Sequence, residues 1–446
     1  MRAGVNMPTE ASRRRQSTAA GPIINYDGYL SERSKARRPS AIRALQPLLA
    51  EPGMISLGGG MPNKDTFPFK SLTCSTDGGT FELTGADLEE VLQYSGTRGL
   101  RSLLAHLQGI QQAEHGTTTP DPYEICVSTG SQDALSKAFD LFTAGGPHDA
   151  PVLVEEPTYS GSLAYLQPTG THLVGVPCDS GGLDPQALAE ILRGWNASSS
   201  GSPRPRVLYT IPVGSNPTGA SLTLERKKDI YSIAREFELL ILEDDPYYWM
   251  QFSSQRTPSF LSMDVDGRVL RFDSFSKLLS SGLRVGFVTG PPALIERIEL
   301  HQQASVLHSS GVSQALVSGL FDQWAAANGG SIHAGFNLHC QGIVDYYRER
   351  RDFFLASADR HLSGLCEWSA PSAGMFVWMK LPVEDADAFI KSKARKAKVL
   401  LVPGQSFDPH DRPSSWARAA YSTATLPEID EALRRLAELL AEETKE

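Results

Sequence analysis

Short apolar runs alternate with amphipathic stretches between Glu124 and Val288, and this alternation predicts the architecture of the chain. Apolar runs of about four to eight residues between turn residues are typical of buried strands, whereas apolar residues spaced three and four apart are typical of helices. Strands are expected over 124–128, 152–159, 206–213, 239–245, 268–272 and 283–288. Helices are expected between them over 133–143, 184–195 and 224–237. The alternation predicts an α/β fold with a mostly parallel sheet covered by helices on both faces.

The pattern changes after Pro291, where long helical periods replace the alternation. Helices are expected to open near Leu92 and to cover 294–306, 312–326 and 338–358, the last of which is long enough to connect two domains. Beyond residue 360, strands at 374–381 and 416–421 and a final helix predict an α+β unit. A capping-box sequence at Thr425 and Glu428 opens that helix, and its apolar stripe is Ile429, Leu433, Leu436 and Leu440.

The net charge narrows the range of partners. A charge of −9 argues against a general binder of nucleic acids or acidic membranes, which needs a basic surface. The five cysteines are odd in number and form no C-x-x-C pair, which favours reduced thiols over a disulfide framework. No apolar run reaches the length of a membrane span. We therefore expect small-molecule partners, with no nucleic acid and no membrane.

Residues 1–24 carry four arginines against one glutamate. An Arg-rich, acid-poor start occurs both in mitochondrial transit peptides and in disordered tails, and the tail is the preferred interpretation. The apolar core of a secretory signal is missing. We expect a cytoplasmic protein, with mitochondria as the alternative.

The stretch from Arg271 to Gly290 carries the first indication of chemistry. Its apolar ends predict two strands, and Gly282 breaks the chain between them. Lys277 lies at this break among serines, with Arg284 close behind it in sequence. Burial of a lone ammonium is costly, so such a lysine either meets a counter-charge or loses its charge by reacting, for example with the aldehyde of pyridoxal 5'-phosphate (PLP). A solvated lysine in an ordinary turn is the alternative for this stretch alone.

Ligands of open parallel sheets bind beyond the carboxyl ends of the strands, and several predicted strands here end in polar residues that suit PLP. The groups that can bind its phosphate are those of Ser131, Gln132, Ser274, Ser276 and Arg284. The groups that suit its ring are Asp245 for the pyridine nitrogen, Asn216 and Tyr248 for O3′, and Tyr159 for the ring face. Singly these residues also fit helix caps, turns or core positions.

Several motifs make the chain similar to a known family. SFSK followed by SSGLRVGF, with SNPTG, EDDPYY and STGSQ upstream, resembles the class I/II PLP-dependent aminotransferases of fold type I. The resemblance runs from about residue 26 to the end. EEPTYSG, AGMFVWMKL and LVPGQSF resemble the kynurenine/α-aminoadipate and aromatic-amino-acid aminotransferases in particular. The fold implied is a large domain with a mostly parallel central sheet between helices, plus a smaller α+β domain.

The resemblance implies a role for each motif residue. Lys277 attaches to the cofactor aldehyde, Asp245 pairs with the ring nitrogen and Tyr159 stacks, which makes these three the catalytic set. The remaining cofactor ligands are Ser131, Gln132, Asn216, Tyr248, Ser274, Ser276 and Arg284. Tyr94 would reach the phosphate of the partner subunit in a homodimer with composite active sites. No metal is implied.

Two acidic residues compete for the place beside the ring. Alternate residues of a strand point to opposite faces, so Asp244 and Asp245 cannot both face the cofactor. The family pattern Asp-x-x-Tyr selects Asp245 together with Tyr248. Asp244 is left without a role.

The expected substrate site is Arg418 for the α-carboxylate, with Arg43, Gly60 and Asn216. Gly60 ends the run Leu57-Gly-Gly-Gly, whose backbone can pass close to a ligand, although a mobile loop explains it equally well. A second carboxylate on 2-oxoglutarate or α-aminoadipate needs a second cation. Arg43 is the best candidate because the subgroup it resembles has an arginine near the substrate side chain.

The segments expected from these assignments are a flexible N-terminal arm (1–38), a segment that contributes to the small domain and the substrate site (39–90), a large PLP-binding domain (91–335) and a C-terminal small domain (336–446). The expected activity is ping-pong transfer of the amino group of aromatic amino acids, kynurenine or α-aminoadipate to 2-oxoglutarate. A PLP-dependent β-lyase acting on cysteine conjugates is the alternative enzyme on this scaffold. A PLP-binding transcription regulator is disfavoured because the region before the resemblance is too short for a DNA-binding domain.

Overall fold

The computed structural model describes residues 23, 25–41, 48, 51–55, 57–58, 60–116, 122–143 and 150–443. The strands are β1 (Leu72–Thr76), β2 (Gly79–Leu83), β3 (Glu124–Ser128), β4 (Val152–Glu156), β5 (Leu173–Asp179), β6 (Gly182–Leu183), β7 (Val207–Thr210), β8 (Leu240–Asp244), β9 (Val269–Ser274), β10 (Gly286–Gly290), β11 (Glu367–Trp368), β12 (Phe376–Lys380), β13 (Val402–Pro403) and β14 (Trp416–Ala420).

The α-helices lie between and after these strands. They are α1 (Glu32–Ala36), α2 (Gly85–Leu92), α3 (Arg101–His115), α4 (Ser131–Phe142), α5 (Ser160–Leu166), α6 (Pro185–Gly194), α7 (Ala197–Ser200), α8 (Leu224–Glu236), α9 (Phe260–Met263), α10 (Pro292–Ser305), α11 (Gly311–Ala327), α12 (Ile332–Leu362), α13 (Ala386–Phe389) and α14 (Leu426–Glu443).

Eight strands form one sheet in the order β3-β10-β9-β8-β7-β4-β5-β6. The run from β9 through β8, β7 and β4 to β5 is parallel throughout. Only β10, against β3 and β9, and β6, against β5, pair antiparallel. This mostly parallel sheet between helices confirms the predicted fold class.

Alternate residues of the central strands enter two separate cores, because side chains alternate between the faces of a sheet. On one face Leu153 and Ile241 pack with the apolar side of α6 and α8. On the other face Val154 and Leu242 pack with α4. Burial on both faces explains why these strands appear in the sequence as continuous apolar runs.

A second sheet of four antiparallel strands, β11-β12-β14-β13, follows the helical stretch. The long helix α12 packs against α14 and also against α3 and α11. The predicted capping box is present, since the Thr425 N–H donates to Glu428 Oε2 at 2.7 Å and the Glu428 N–H to Thr425 Oγ1 at 3.4 Å. The predicted apolar stripe of α14 is buried, and α14 packs against α12.

Two features differ from the sequence-based expectations. The helix expected to open at Leu92 begins at Arg101, because the chain first passes close to β3: a Cβ on Gly99 would lie 2.7 Å from Val127 Cγ2. The hairpin of β1 and β2 was not predicted, since none of its residues is fully buried and its strands carry little apolar signal.

The described part of the predicted flexible arm is folded against the large sheet. The Tyr26 hydroxyl donates to the Gly267 carbonyl at 2.7 Å, and the Ser31 N–H donates to the Leu141 carbonyl at 2.7 Å. Arg33 forms an ion pair with Asp140 of α4 at 2.6 Å. The local sequence pattern gave no sign of these contacts, which all reach distant segments.

Candidate active site

The carboxyl ends of β3, β4, β7, β8 and β9 meet at one edge of the large sheet, and β10 starts there. The residues that follow these ends include most of the predicted site. Strand β14 of the second sheet adds Arg418, which contacts Asn216 beyond the end of β7. The site is therefore built by both sheets.

One part of this edge forms a cradle for an anion. Ser131 is the first residue of α4, a helix of 12 residues whose first N–H groups have no partner within the helix. Beside it, Arg284 Nη1 donates to Ser276 Oγ at 3.2 Å and Nη2 donates to the Thr129 carbonyl at 3.3 Å. Gly130, at φ +84°, leaves room for the Arg284 guanidinium, because a Cβ at residue 130 would lie 2.5 Å from Arg284 Nη2. Cation, hydroxyl and helix start together fit a phosphate.

Two further predicted phosphate ligands lie in this region. Ser274 Oγ accepts a hydrogen bond from the Ser276 N–H at 3.2 Å and so shapes the turn that leads to Lys277. Gln132 Nε2 donates to the Gly161 carbonyl at 3.1 Å, and its Oε1 is buried with no hydrogen-bond partner among the described residues.

Lys277 lies just beyond β9 and is half-buried. Burial lowers the pKa of its ammonium, and the nearby Arg418 and Arg284 lower that pKa further. A lower pKa increases the fraction of neutral amine, which is the form that attacks an aldehyde or accepts a proton. This environment suits such chemistry better than it suits an ion pair.

Arg418 is arranged to receive a carboxylate. Its Nη1 donates to Asn216 Oδ1 at 2.7 Å, and its guanidinium lies 4.3 Å from the ring centre of Phe376 and 5.1 Å from that of Phe407. Its Nε is buried and has no partner within the described part of the chain. A planar cation with unused donors and fixed orientation suits bidentate binding of a carboxylate.

The structure does not place Asp245 and Tyr248 in this cluster. Asp245 Oδ2 accepts a hydrogen bond from the fully buried Arg271 at 2.9 Å. The Tyr248 hydroxyl donates to Glu114 at 2.9 Å, and its ring lies 4.9 Å from that of His115 in α3. Burial raises the pKa of Asp245 to about 7, against the lowering effect of Arg271.

Asp244 and Tyr247 occupy the place that was expected for those two residues. Asp244 Oδ2 accepts a hydrogen bond from the Tyr209 hydroxyl at 2.8 Å. Burial raises the pKa of the Tyr159 hydroxyl, the Asp244 carboxylate adds to that rise, and Arg418 opposes it, so these groups lie near one another. The Tyr247 ring packs edge-on against Phe376 at 5.8 Å, next to Arg418.

The register of β8 against β9 determines which of the two acids faces the site. Arg271 of β9 lies opposite Glu243 of β8 and binds Asp245, Glu243 and Asp273 on one face of the sheet. Asp244 must then point to the other face. The sequence did hold the signal, because an arginine inside an apolar strand needs carboxylates on its own face.

Asp244 and Asp245 each keep one buried oxygen, Oδ1, without a partner among the described residues, so an unsatisfied oxygen alone does not choose between them. Their neighbours distinguish the two acids, because Asp244 and not Asp245 lies beside Tyr159 and Tyr247. Burial raises the pKa of Asp244 to about 7, and the Tyr209 hydroxyl opposes this rise. A cationic ring nitrogen at Asp244 Oδ1 would satisfy that carboxylate.

Three predicted residues stand apart from the cluster or outside the described chain. The Tyr94 side chain is nearly half exposed, and its ring packs edge-on against His308 at 6.0 Å. Gly60 is exposed. Arg43 lies outside the described residues. Within the part of the chain that the structure describes, no group of His, Cys, Asp and Glu could hold a metal ion, and no helix has the length and apolar character needed to cross a bilayer.

Comparisons with known proteins show the family of the chain. A family model described as aminotransferase class I and II matches residues 54–436. The chain is similar to kynurenine/alpha-aminoadipate aminotransferase, mitochondrial, of Rattus norvegicus, with 44% identity over 431 residues that cover 94% of this chain and 99% of the relative.

Solved structures are similar over nearly the whole chain. The aromatic aminotransferase Aro9 of C. albicans has a TM-score of 0.82 and 26% identity, with 94% of this chain and 98% of that chain covered. Pyrococcus horikoshii kynurenine aminotransferase, solved in complex with PMP and KYN, has a TM-score of 0.73 and 27% identity, with 95% and 99% covered.

The anion cradle is testable with Gly130→Ala. The added methyl group would displace Arg284, so a charge-assisted hydrogen bond of about 1.5–3 kcal/mol would be lost. We expect binding of inorganic phosphate to the ligand-free protein to weaken at least ~10-fold in calorimetry. Gly109→Ala in α3 is the matched control, because nothing lies within 4 Å of a Cβ there. Equal phosphate affinity in both variants would contradict the cradle.

Proposed function

The chain belongs to the class I and II aminotransferases, and on that premise we propose that it moves the amino group of aromatic amino acids, kynurenine or α-aminoadipate to 2-oxoglutarate, with PLP as cofactor. The observation that carries the proposal is a half-buried lysine of depressed pKa near two arginines. Arg284 lies in a phosphate cradle, and Arg418 is prepared for a carboxylate. Such a site suits an anionic cofactor on one side and an amino acid on the other.

The residues present fit the cofactor. Its phosphate would be held by Ser131, Gln132, Ser274, Ser276 and Arg284. Asp244 Oδ1 would accept a hydrogen bond from the protonated ring nitrogen, Asn216 and Tyr247 would bind O3′, and Tyr159 would cover the ring face. When bound, PLP supplies an electron-withdrawing ring that stabilises negative charge on the substrate Cα.

The chain's own groups then act on the substrate. Arg418 holds the α-carboxylate and so fixes which bond of Cα faces the lysine. Lys277 Nζ removes the proton from Cα and returns a proton during the transfer. Asp244 would stabilise the protonated ring nitrogen and so favour the electron-withdrawing form of the cofactor.

Amino transfer is tested directly by the absorbance of the bound cofactor. Adding glutamate, phenylalanine, kynurenine or α-aminoadipate should convert it to the pyridoxamine form, and 2-oxoglutarate should restore the original spectrum. Lys277→Ala is the control and should lose turnover by several orders of magnitude, because Cα then has no base. Release of pyruvate and ammonia from cysteine conjugates as the main reaction would favour a β-lyase, which the names of the relatives do not support.

Asp244→Asn and Asp245→Asn form a matched pair. Asp244→Asn should slow the half-reaction by ~10²–10⁴, the effect of one well-placed electrostatic group, and weaken cofactor binding. Asp245→Asn should leave the cofactor-saturated rate within about tenfold and instead lower the midpoint of urea unfolding, because it removes a partner of the buried Arg271. A larger rate loss in Asp245→Asn would restore the sequence-based assignment.

We also propose a homodimer with composite active sites. Several large apolar side chains of the described residues are exposed, which a partner subunit would cover. They include Ile55, Leu57, Phe69, Tyr94 and Leu338. Tyr94 would reach the phosphate in the partner's site.

Complementation tests this arrangement. A dimer that combines a Lys277→Ala chain with a Tyr94→Phe chain should contain one intact site and one site with both defects. Subunit exchange between the two variants should therefore raise activity above the sum of the separate proteins. Without that gain, Tyr94 and Lys277 would act within one chain, and light scattering of an active monomer would exclude the dimer.

Arg43 is proposed to bind the second carboxylate of dicarboxylic substrates. Arg43→Leu should lower kcat/KM for α-aminoadipate and glutamate by ~10- to 1000-fold, the loss of one charge-assisted pair, and phenylalanine should lose much less. Single-turnover rates with each amino donor measure this. If phenylalanine and α-aminoadipate lose rate equally, Arg43 has a structural role.

The proposed location is mitochondrial rather than the cytoplasm expected from the sequence. The name of the rat relative includes this location, and residues 1–24 are Arg-rich. A fusion of residues 1–24 to a fluorescent protein should enter mitochondria, and a diffuse signal would argue for the cytoplasm.

A further inference from the structure

Glu155 is a buried acid at the carboxyl end of β4 with no role in the chemistry described above. Its Oε1 accepts hydrogen bonds from Thr210 Oγ1 at 2.5 Å and from the Ile211 N–H at 3.1 Å. Its Oε2 accepts a hydrogen bond from Ser215 Oγ at 3.0 Å. Three donors from the end of β7 and the chain that follows it therefore converge on one carboxylate.

Burial of this carboxylate costs free energy, because the group loses its contact with water. Glu155 is only 2% exposed, and its three donors are neutral groups. Burial raises its pKa to about 7, since neutral donors offset only part of the loss of water. Removing the carboxylate would leave the Ile211 N–H and two hydroxyls without their acceptor, so the turn would lose its internal support.

The segment that Glu155 holds leads directly to Asn216. The Ser215 N–H donates to the Ala220 carbonyl at 2.8 Å, and the Gly219 N–H donates to the Ser215 carbonyl at 2.6 Å, which closes the turn around Asn216. Asn216 Oδ1 then accepts the hydrogen bond from Arg418. Glu155, Ser215, Asn216 and Arg418 thus form one continuous series of contacts from the large sheet to β14.

We propose that Glu155 is a positioning residue for the substrate carboxylate: it fixes residues 211–215 and thereby the place at which Asn216 orients Arg418. In this role Glu155 acts through its partners Thr210, Ile211 and Ser215. The inference rests on the proposed function, because Arg418 is taken as the group that binds the α-carboxylate.

The test uses the cofactor-saturated enzyme and a carboxylate that does not react, 3-phenylpropanoate. Glu155→Ala should raise its dissociation constant, and the KM for phenylalanine, ~10-fold or more, because a guanidinium that has lost its orientation binds a carboxylate less well. The kcat should fall much less than kcat/KM. Ser215→Ala removes one of the three donors and should give the same changes at smaller size, about threefold.

Two conservative changes separate positioning from general stability. Glu155→Gln keeps an oxygen for Thr210 and Ile211 and an amide that can bond Ser215, so it should restore most of the affinity lost in Glu155→Ala. Glu156→Gln, at the next position, is the control. Glu156 pairs with the exposed Arg412, so this variant should leave the affinity unchanged.

The outcomes distinguish this inference from the function on which it rests. Wild-type affinity for 3-phenylpropanoate in Glu155→Ala would overturn the positioning role, as would a lower unfolding midpoint in Glu155→Ala together with wild-type affinity in Ser215→Ala. A wild-type enzyme that neither binds 3-phenylpropanoate nor transaminates phenylalanine would instead refute the proposed substrate class. Weakened binding in Glu155→Ala and Ser215→Ala with recovery in Glu155→Gln would support the inference.

Discussion

The site depends on a buried arginine that binds some of the acidic residues at the end of β8 and leaves another to face the opposite side of the sheet. Arg271 is fully buried and binds three carboxylates: Glu243 of β8, Asp245 directly after β8, and Asp273 of β9. An unpaired charge at that depth would cost several kcal/mol, so these partners are fixed. Strand alternation then leaves Asp244 to face the opposite side, next to Tyr159. A structural ion network thus determines which acid faces Tyr159 and Tyr209.

Most of the fold could be predicted from the sequence because its signals are local. Buried strands such as β8 appear as unbroken apolar runs, and α14 carries both a capping box and an apolar stripe. Strand ends in a parallel sheet meet at one edge, so Lys277, Asn216 and Arg284 could be grouped before their positions were known. The resemblance to a family added Arg418, which lies on the second sheet and which local pattern alone does not connect to Lys277.

The errors arose where the answer depends on distant partners. The pattern Asp-x-x-Tyr, from which the sequence analysis selects Asp245, also fits Asp244, because Asp244 is spaced from Tyr247 as Asp245 is from Tyr248. Only the register of β8 against β9 separates the two choices. Glu155 went unnoticed for a similar reason, since its partners lie more than fifty residues away. Gly99 likewise delays the start of α3 through contact with another strand.

The Arg418 side chain is held in place before any substrate arrives. Aromatic rings of Phe376 and Phe407 flank its guanidinium, and Asn216 fixes one end of it. A free arginine loses roughly 2 kcal/mol of rotamer entropy when it is immobilised, and here the fold has already met that cost. In the proposed function, a substrate carboxylate would therefore meet a preorganised partner, and much of its binding energy would remain available for orienting Cα. A lysine in the same place would lack the flat surface that the two rings hold, so charge alone would not reproduce this effect.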